Sequence, residues 1–250
     1  MDTQQISHAA ALLAGARRTG QLLESLPADA TPANIAEGHA IQDAVTAALG
    51  KPVGAYKAMA PAHGEPTRGV IYADTIHTSP ARIPAADVPQ CGVEGEVAFV
   101  FRRDLPPRPA PYTRDEVSDA VDACAAIELV TSRYRTSDTA SNLQKLADNI
   151  SNAAFVHAAP SAGWRGLELG KLKVTLTVNG KAVLEQVGGH ATGDPLGIAV
   201  VLANMMREQG GVRGGQFVTC GTYTGLRYLK PGDICGVRFE GLGAAEVTFT

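Results

Sequence analysis

Three glutamates in two apolar segments are the residues of this sequence best suited to carry chemistry. Glu94 and Glu96 lie in Val93–Phe101, whose alternating pattern predicts a β-strand. Side chains two positions apart project from the same face of a strand, so these two carboxylates should lie side by side. Like charges this close repel each other, and burial increases the cost. A divalent cation would relieve the repulsion; a solvated polar strand face is the alternative.

The third glutamate, Glu128, lies inside the apolar run Ala125–Val130, which predicts a buried strand. Glutamate is almost never fully buried unless it is paired or binds a ligand. A salt bridge to Arg133 or Arg135 would satisfy it, and so would a metal shared with the first two glutamates. Three carboxylates without histidine or cysteine favour a hard cation such as Mg²⁺, Mn²⁺ or Ca²⁺.

A lysine occupies the middle of another predicted strand. Lys57 lies in Val53–Met59, where the packed face requires apolar residues. Its aliphatic stem could lie along apolar surface while the amine reaches solvent. Alternatively, the amine faces the carboxylates, where it could bind negative charge or move a proton.

The elements that must position these residues begin with helices. Apolar spacing predicts a first helix near the amino terminus and a second that begins at Thr31 and Pro32 and ends at Gly50. From Val53 onward the pattern changes to short strands with two or three inserted helices. Helices followed by a mixed sheet predict an α+β fold. We therefore expect an N-terminal helical region over residues 1–52 and a catalytic domain over residues 53–250.

Three local signals are specific within the second part. The capping box Thr113–Glu116 predicts a helix that continues at helical spacing to Cys124. Asn179-Gly180 after an alternating strand predicts a hairpin turn. Asp194 or Pro195 should begin a helix that ends at Gly210.

Composition excludes several classes of protein. Of the 250 residues, 45% are hydrophobic and 19% charged, which excludes global disorder. The net charge of −3 and the 5% aromatic content argue against nucleic-acid binding. The sequence has no C-x-x-C pair, no apolar run long enough for a bilayer and no secretory signal pattern, so we expect a cytoplasmic protein with reduced thiols. No nucleotide-binding or zinc motif occurs, so neither a nicotinamide cofactor nor zinc is expected.

The glutamates and their neighbours resemble a known family. Glu94-Gly-Glu96, followed by Glu128 and then by Ser132-Arg133, is similar to the fumarylacetoacetate hydrolase superfamily, in particular its branch of 2-keto-4-pentenoate hydratases and 4-oxalocrotonate decarboxylases. Further matching segments in family order are Ala16–Gly20, Ala40–Gln42, Val53–Lys57, Leu146–Asn149, Leu202–Asn204, Lys230–Asp233 and Gly241–Gly243.

This resemblance implies a mixed β-roll with a small N-terminal helical region, and it assigns roles to residues. Mg²⁺ or Mn²⁺ would be bound by Glu94, Glu96 and Glu128, and Lys57 would reach the substrate. Asp74 matches an acid near the pocket, with a turn aspartate as the alternative.

The segment Asp148–Ala153 matches a second family motif, with a helix end as the alternative interpretation. Ser151 takes the place of the motif's first serine, whereas Asn152 replaces the second. The resemblance thus implies Asp148 and Ser151 as catalytic candidates beside Lys57, with Asp74 or Asp148 assisting the lysine. His63 and Glu65 resemble the acid–base dyad of the superfamily's carbon–carbon hydrolases, but their Pro/Gly-rich loop favours exposed surface positions.

The resemblance implies a Mg²⁺-dependent lyase. The leading hypothesis is a hydratase that adds water to a 2-hydroxy-2,4-dienoate in aromatic-compound catabolism. A decarboxylase of a 2-oxo-3-enedioate of the 4-oxalocrotonate type is second, and a hydrolase of a 1,3-diketo acid third. An inactive partner subunit is the alternative from another class. A homo-oligomer, possibly associated with a sister hydratase or decarboxylase, is also expected.

Overall fold

The computed structural model describes residues 1–61, 63–136 and 140–250, which form five α-helices and thirteen β-strands. The helices are α1 (Thr3–Thr19), α2 (Ile35–Leu49), α3 (Arg114–Ser118), α4 (Asn142–Ala147) and α5 (Pro195–Met206). The strands are β1 (Val53–Met59), β2 (Thr67–Tyr72), β3 (Ile76–Thr78), β4 (Ala81–Ile83), β5 (Gly92–Phe101), β6 (Val121–Val130), β7 (Asn152–His157), β8 (Lys173–Val178), β9 (Lys181–Val187), β10 (Phe217–Thr222), β11 (Arg227–Tyr228), β12 (Ile234–Phe239) and β13 (Gly243–Phe249).

Two mixed sheets form the β-roll. The larger has the strand order β2-β1-β10-β5-β6-β7-β3, with β11 paired to β5. The smaller has the order β4-β13-β12-β8-β9. Parallel pairs between β1 and β10 and between β3 and β7 join strands that are distant in sequence. The α+β prediction is confirmed.

The strands β5 and β6 form the centre of the larger sheet. They are antiparallel over ten residue pairs, from Gly92–Val130 to Phe101–Val121. One face of β5 places Val97 and Phe99 in the main core between the sheets, and the opposite face places Ala98 in a second, smaller apolar cluster. The prediction that Glu94 and Glu96 share the second face therefore agrees with the register.

The two N-terminal helices pack on each other through a separate apolar cluster. Ala9 and Leu13 of α1 and Ile41 of α2 are fully buried there. The predicted start of α2 at Thr31 is wrong, because the Asn34 side chain accepts a hydrogen bond from the Glu37 amide and caps the helix. The division of the chain at residue 52 stays a prediction.

The helix after the Thr113 capping box is shorter than predicted. It ends at Ser118, and the residues from Val121 to Cys124 belong to the strand β6. Nearly every residue of β6 is buried, so both of its faces are covered, and a strand buried on both faces shows no alternation. The helix α5 likewise ends at Met206, before Gly210. Within the described ranges, no helix is both long and apolar enough to cross a bilayer.

Candidate metal centre

The register of β5 against β6 brings the three glutamates together. Glu94 lies directly opposite Glu128, and Glu96 lies two positions along the same face. One carboxylate oxygen from each residue lies within 4.8 Å of those of the other two. Glu96 and Glu128 are 2% and 0% exposed, and Glu94 is half-buried. Three acidic groups are thus concentrated where solvent does not screen their repulsion.

The electrostatics of this cluster favour a bound cation. Burial raises the pKa of Glu96 well above its usual value, and the charges of Glu128 and Glu94 raise it further. Burial also raises the pKa of Glu94, although Lys57 opposes the effect. The Gly221 amide donates to Glu96 Oε2 at 2.9 Å, which orients this carboxylate towards the others.

Lys57 provides one positive charge beside the cluster. Its Nζ donates to Glu128 Oε1 at 2.7 Å and to the Ile150 carbonyl at 3.2 Å. Burial alone would lower the pKa of Lys57, but the nearby glutamates, Glu128 first, raise it above its usual value. The arginine salt bridges considered for Glu128 do not form, because Arg133 pairs with Asp148 and Arg135 with Glu24.

One oxygen of Glu128 is left without a partner. Its Oε1 accepts from Lys57 and from the Asn152 side chain at 2.9 Å, whereas its Oε2 is buried and has no hydrogen-bond partner among the described residues. An unsatisfied buried oxygen costs free energy. The donor set is all oxygen and carries more negative charge than Lys57 can balance, so it fits a hard divalent cation.

The segment that follows α4 has strained backbone. Asn149, Ile150 and Ser151 have φ angles of 54°, 51° and 60°, in the left-handed region that side chains other than glycine disfavour. The strain presents the Ile150 carbonyl to Lys57. Gly69 allows this approach, because a Cβ there would lie 2.7 Å from the Asn149 oxygen. Such strain is concentrated at functional sites.

Asp148 lies behind this segment and not in the cavity. Its Oδ1 accepts from Arg133 Nε at 2.5 Å and from Arg17 at 3.1 Å, and its Oδ2 accepts from the Arg133 amide at 3.0 Å. Both carboxylate oxygens are therefore occupied in a fully buried cluster. Asp148 lies three residues before Ser151 in the chain, but it is buried and does not line the cavity.

Asp74 is also away from the glutamates. It lies on a short 3₁₀ helix, its side chain is 52% exposed, and it pairs with Lys51 at 2.6 Å. It lines a different surface cavity together with Arg17. His63 and Glu65 are exposed, which agrees with the surface-loop interpretation. The assignment of Asp74 to the reaction stays a prediction without a contact in its favour.

A cavity of about 500 Å³ opens onto the glutamates. Lys57, Glu94, Glu96 and Ser151 line it, and Glu128 lies buried behind them. One wall is apolar, with Met59, Ala60, Pro61, Val130, Ile198 and Leu226.

Sequence reasoning assigned no role to three residues of this site. Asn152, noted there only as a departure from the family motif, donates to Glu128, while His190 and Lys145 line the cavity. His190 has no metal-like spacing to another histidine, and Lys145 lies on a helix of only six residues, so neither carries a sequence signal.

Residues 44–250 match the family described as fumarylacetoacetate (FAA) hydrolase C-terminal. The chain belongs to this family.

The proteins similar to this chain include hydratases and decarboxylases. The chain is 31% identical over 187 residues to a 2-keto-4-pentenoate hydratase of Burkholderia vietnamiensis, covering 74% of this chain and 71% of the relative. It is 28% identical over 158 residues to a 4-oxalocrotonate decarboxylase of Pseudomonas putida, covering 63% and 59%. A 4-oxalocrotonate decarboxylase from Pseudomonas putida G7, solved with magnesium and adipate, has a TM-score of 0.85 at 20% identity and covers 100% of this chain and 99% of that one.

Proposed function

We propose that this protein is a Mg²⁺-dependent lyase that acts on a short 2-oxo or 2-hydroxydienoic acid, with hydration of a 2-hydroxy-2,4-dienoate as the leading reaction. The observation that carries the proposal is the three-carboxylate cluster beside a cavity of about 500 Å³, in which one buried oxygen of Glu128 has no partner among the described residues. Relatives named as hydratases and decarboxylases support the reaction class.

In the proposed site, Glu94, Glu96 and Glu128 hold Mg²⁺ or Mn²⁺. When bound, such a cation supplies Lewis-acid stabilisation of negative charge that develops on an oxygen of the substrate. The apolar side chains of the lining are proposed to contact the carbon chain of the substrate.

Lys57 is the group proposed to bind negative charge or move a proton. Its amine is already held by Glu128 and the Ile150 carbonyl, which leaves one of its three N–H bonds directed elsewhere. Ser151 also lines the cavity, and its backbone is held by the Thr131 amide. Its hydroxyl is proposed to contact substrate or the water that is added.

We propose that Asp148 does not contact the substrate and instead positions the turn that carries Ile150 and Ser151. Two arginines hold it, and it begins the strained turn that carries both Ile150 and Ser151. A fixed Asp148 therefore fixes the Lys57 partner and the Ser151 hydroxyl together. We propose no direct proton transfer by Asp148.

Decarboxylation of a 2-oxo-3-enedioate is the second candidate, because the same carboxylate cluster and Lys57 would serve it and a fold relative is named for that reaction. An inactive partner subunit is the least supported alternative. The chain retains the three crowded carboxylates and Lys57, whose repulsion and burial a non-catalytic protein would not need.

Product analysis tests the proposal. The purified protein is incubated with 2-hydroxypenta-2,4-dienoate and separately with 2-oxohex-3-enedioate, each with Mg²⁺ and after treatment with a chelator. Gain of water identifies a hydratase and release of CO₂ a decarboxylase. The chelator should stop turnover and Mg²⁺ or Mn²⁺ should restore it. Absence of turnover on both compounds, with Mg²⁺ binding demonstrated, would contradict the proposed class.

Zinc provides the metal control. An all-carboxylate site suits Mg²⁺ and Mn²⁺ better than Zn²⁺, which prefers nitrogen and sulfur ligands. After the chelator is removed, Zn²⁺ alone should not restore turnover. Full recovery with Zn²⁺ would contradict the proposed metal.

A further inference from the structure

Two of the described residues that line the cavity are lysines, and only Lys57 has a side-chain partner within that part of the chain. Lys57 donates to Glu128 and to the Ile150 carbonyl. Lys145 is half-buried, and within the described ranges its ammonium forms neither an ion pair nor a hydrogen bond. The second lysine therefore presents an uncommitted positive charge to the cavity.

The helix that carries Lys145 is held in place. Ser141 and Gln144 form a reciprocal capping box at its start. Gln42 of α2 donates to the carbonyl of Leu146, and the Leu146 side chain packs where a Cβ on Gly38 would lie 2.8 Å away. Because the helix is fixed on both sides, the Lys145 side chain projects from a rigid position into the cavity.

Charge balance separates the roles of the two lysines. With a divalent cation bound, the three glutamates, the cation and Lys57 together carry no net charge. A substrate with one carboxylate would add one negative charge near the cation. Lys145 pairs with none of the three glutamates, so its charge is available to a second anionic group on the substrate.

Among the described lining residues, the other side chains that could carry a positive charge, Lys57 and His190, already have partners. His190 Nε2 lies 2.7 Å from the Cys220 carbonyl and its Nδ1 lies 3.3 Å from the Thr192 hydroxyl, so both ring nitrogens are occupied. Met59 and Leu226 are apolar. An extended acid held at the glutamates would therefore find Lys145 as the cationic partner for its far end.

We propose that Lys145 binds the second carboxylate of a dicarboxylic substrate and so determines which acids the site accepts. This inference rests on the proposed function, because it takes the glutamate cluster as the end that holds the 2-oxo acid. A charge-assisted hydrogen bond to a carboxylate is stronger than a neutral one and selects for the charged group. The site then favours a diacid over a monoacid of equal length.

Binding of two saturated six-carbon acids tests the inference without turnover. Adipate and hexanoate have the same chain length and differ by one carboxylate. Isothermal titration into the Mg²⁺-loaded protein should show tighter binding of adipate. Lys145→Met should weaken adipate binding by roughly ten- to a hundredfold and leave hexanoate unchanged. Lys145→Arg keeps the charge and should retain most of the preference.

A matched control removes a lysine elsewhere. Lys181 is exposed on β9, the edge strand of the smaller sheet, and does not line the cavity, so Lys181→Met should leave both affinities unchanged. Circular dichroism confirms that each variant is folded. Equal loss of adipate and hexanoate binding in Lys145→Met would overturn the inference, because Lys145 would then contact the end that both acids share. Equal affinity of the wild-type protein for both acids would also overturn it.

Turnover separates this inference from the proposed function. In Lys145→Met, KM for 2-oxohex-3-enedioate should rise while KM for 2-hydroxypenta-2,4-dienoate stays constant. An adipate preference that depends on Lys145 supports the inference even when neither compound is turned over, and only the proposed reaction then fails. Turnover of the monoacid without any adipate preference refutes the inference and leaves the lyase assignment intact.

Discussion

Two groups of charged residues, one with three acids and one with a single acid, differ in how their carboxylates are neutralised. Glu94, Glu96 and Glu128 share one lysine, and an oxygen of Glu128 has no partner among the described residues. Asp148 stands alone between Arg17 and Arg133, and both of its oxygens accept hydrogen bonds. The first cluster carries excess negative charge and the second excess positive charge.

This difference indicates which of the buried carboxylates can bind a cation or a substrate. A carboxylate whose oxygens are all occupied stabilises the structure that holds it, whereas a group of carboxylates with an unsatisfied oxygen can bind a cation. Asp148 was a candidate for catalysis by resemblance, and its contacts instead favour positioning of the turn after α4. The following predictions test this contrast, from the largest expected effect to the smallest.

Loss of a glutamate from the acidic cluster should have the largest effect. Glu96→Gln removes one anionic ligand, and even supporting residues around metal sites are worth about 10- to 100-fold. Turnover should fall more than about a hundredfold, and Mg²⁺ affinity should fall with it, as measured by steady-state kinetics and titration. Thermal stability without metal should be unchanged or raised, because buried repulsion is relieved. Glu185→Gln, which changes an exposed glutamate on a strand, is the matched control. If Glu96→Gln kept wild-type activity at limiting Mg²⁺, the metal would bind elsewhere.

Loss of Asp148 should instead destabilise the fold. Asp148→Asn leaves the guanidinium groups of Arg17 and Arg133 without their counter-charge, and breaking a buried ion pair costs about 3–5 kcal/mol. Urea denaturation should show a lower midpoint at a similar slope. Asp87→Asn, at an exposed position, should change the midpoint little. An Asp148→Asn protein of normal stability that has lost turnover would return Asp148 to a direct catalytic role.

Loss of Lys57 should affect both turnover and the thermal stability of the metal-free protein. Lys57→Met should lower kcat by on the order of a hundredfold or more, as for other acid–base groups. Without Mg²⁺ the variant should also melt at a lower temperature, because Glu128 loses its 2.7 Å ion pair, and added Mg²⁺ should reverse much of that loss. Lys51→Met, which removes the surface pair with Asp74 and a cation–π contact with Tyr72, is the control. Normal kcat in Lys57→Met would make Lys57 a structural counter-ion alone.

A smaller effect concerns His39, outside both clusters. Burial first, and then the charge of Arg68, lower the pKa of His39 to about 4 from its usual 6.5, and its Nε2 accepts from the Arg68 amide. Between these pH values the unfolded chain binds a proton that the folded protein does not, so stability should fall as the pH falls from about 6.5 towards 4. His39→Gln should reduce this slope in pH-dependent denaturation, and His63→Gln, at an exposed position, is the matched control. An unchanged slope in His39→Gln would assign the pH effect to other groups.

Parts of the fold followed directly from local sequence. Gly50 ends α2 in a left-handed conformation, and Asn179-Gly180 forms the turn between β8 and β9 with positive φ at both residues, as predicted. Each depends on backbone preferences of one or two residues. The helix predicted through Cys124 was wrong because its residues lie in a strand that is buried on both faces, where burial overrides periodicity.

The same division holds within the site. Alternation alone predicted that Glu94 and Glu96 share a face, and burial alone singled out Glu128 and Lys57. The support given to Glu128 by Asn152 and to Glu96 by the Gly221 amide had no sequence signal, because it depends on strand neighbours and on a segment 125 residues away. The exposed pairing of Asp74 with Lys51 was equally hidden.

The sequence by itself therefore determined which charged residues lie in apolar strands, where hydration cannot stabilise their charge and a partner is required. Only the tertiary structure decided which partner each one obtained. Two arginines, one of them 131 residues away, occupy Asp148, whereas the register of β5 and β6 leaves three glutamates with one lysine. The reason is physical: charge pairing acts over a few ångströms, and the distances between segments that are remote in sequence are set by the packing of the whole chain.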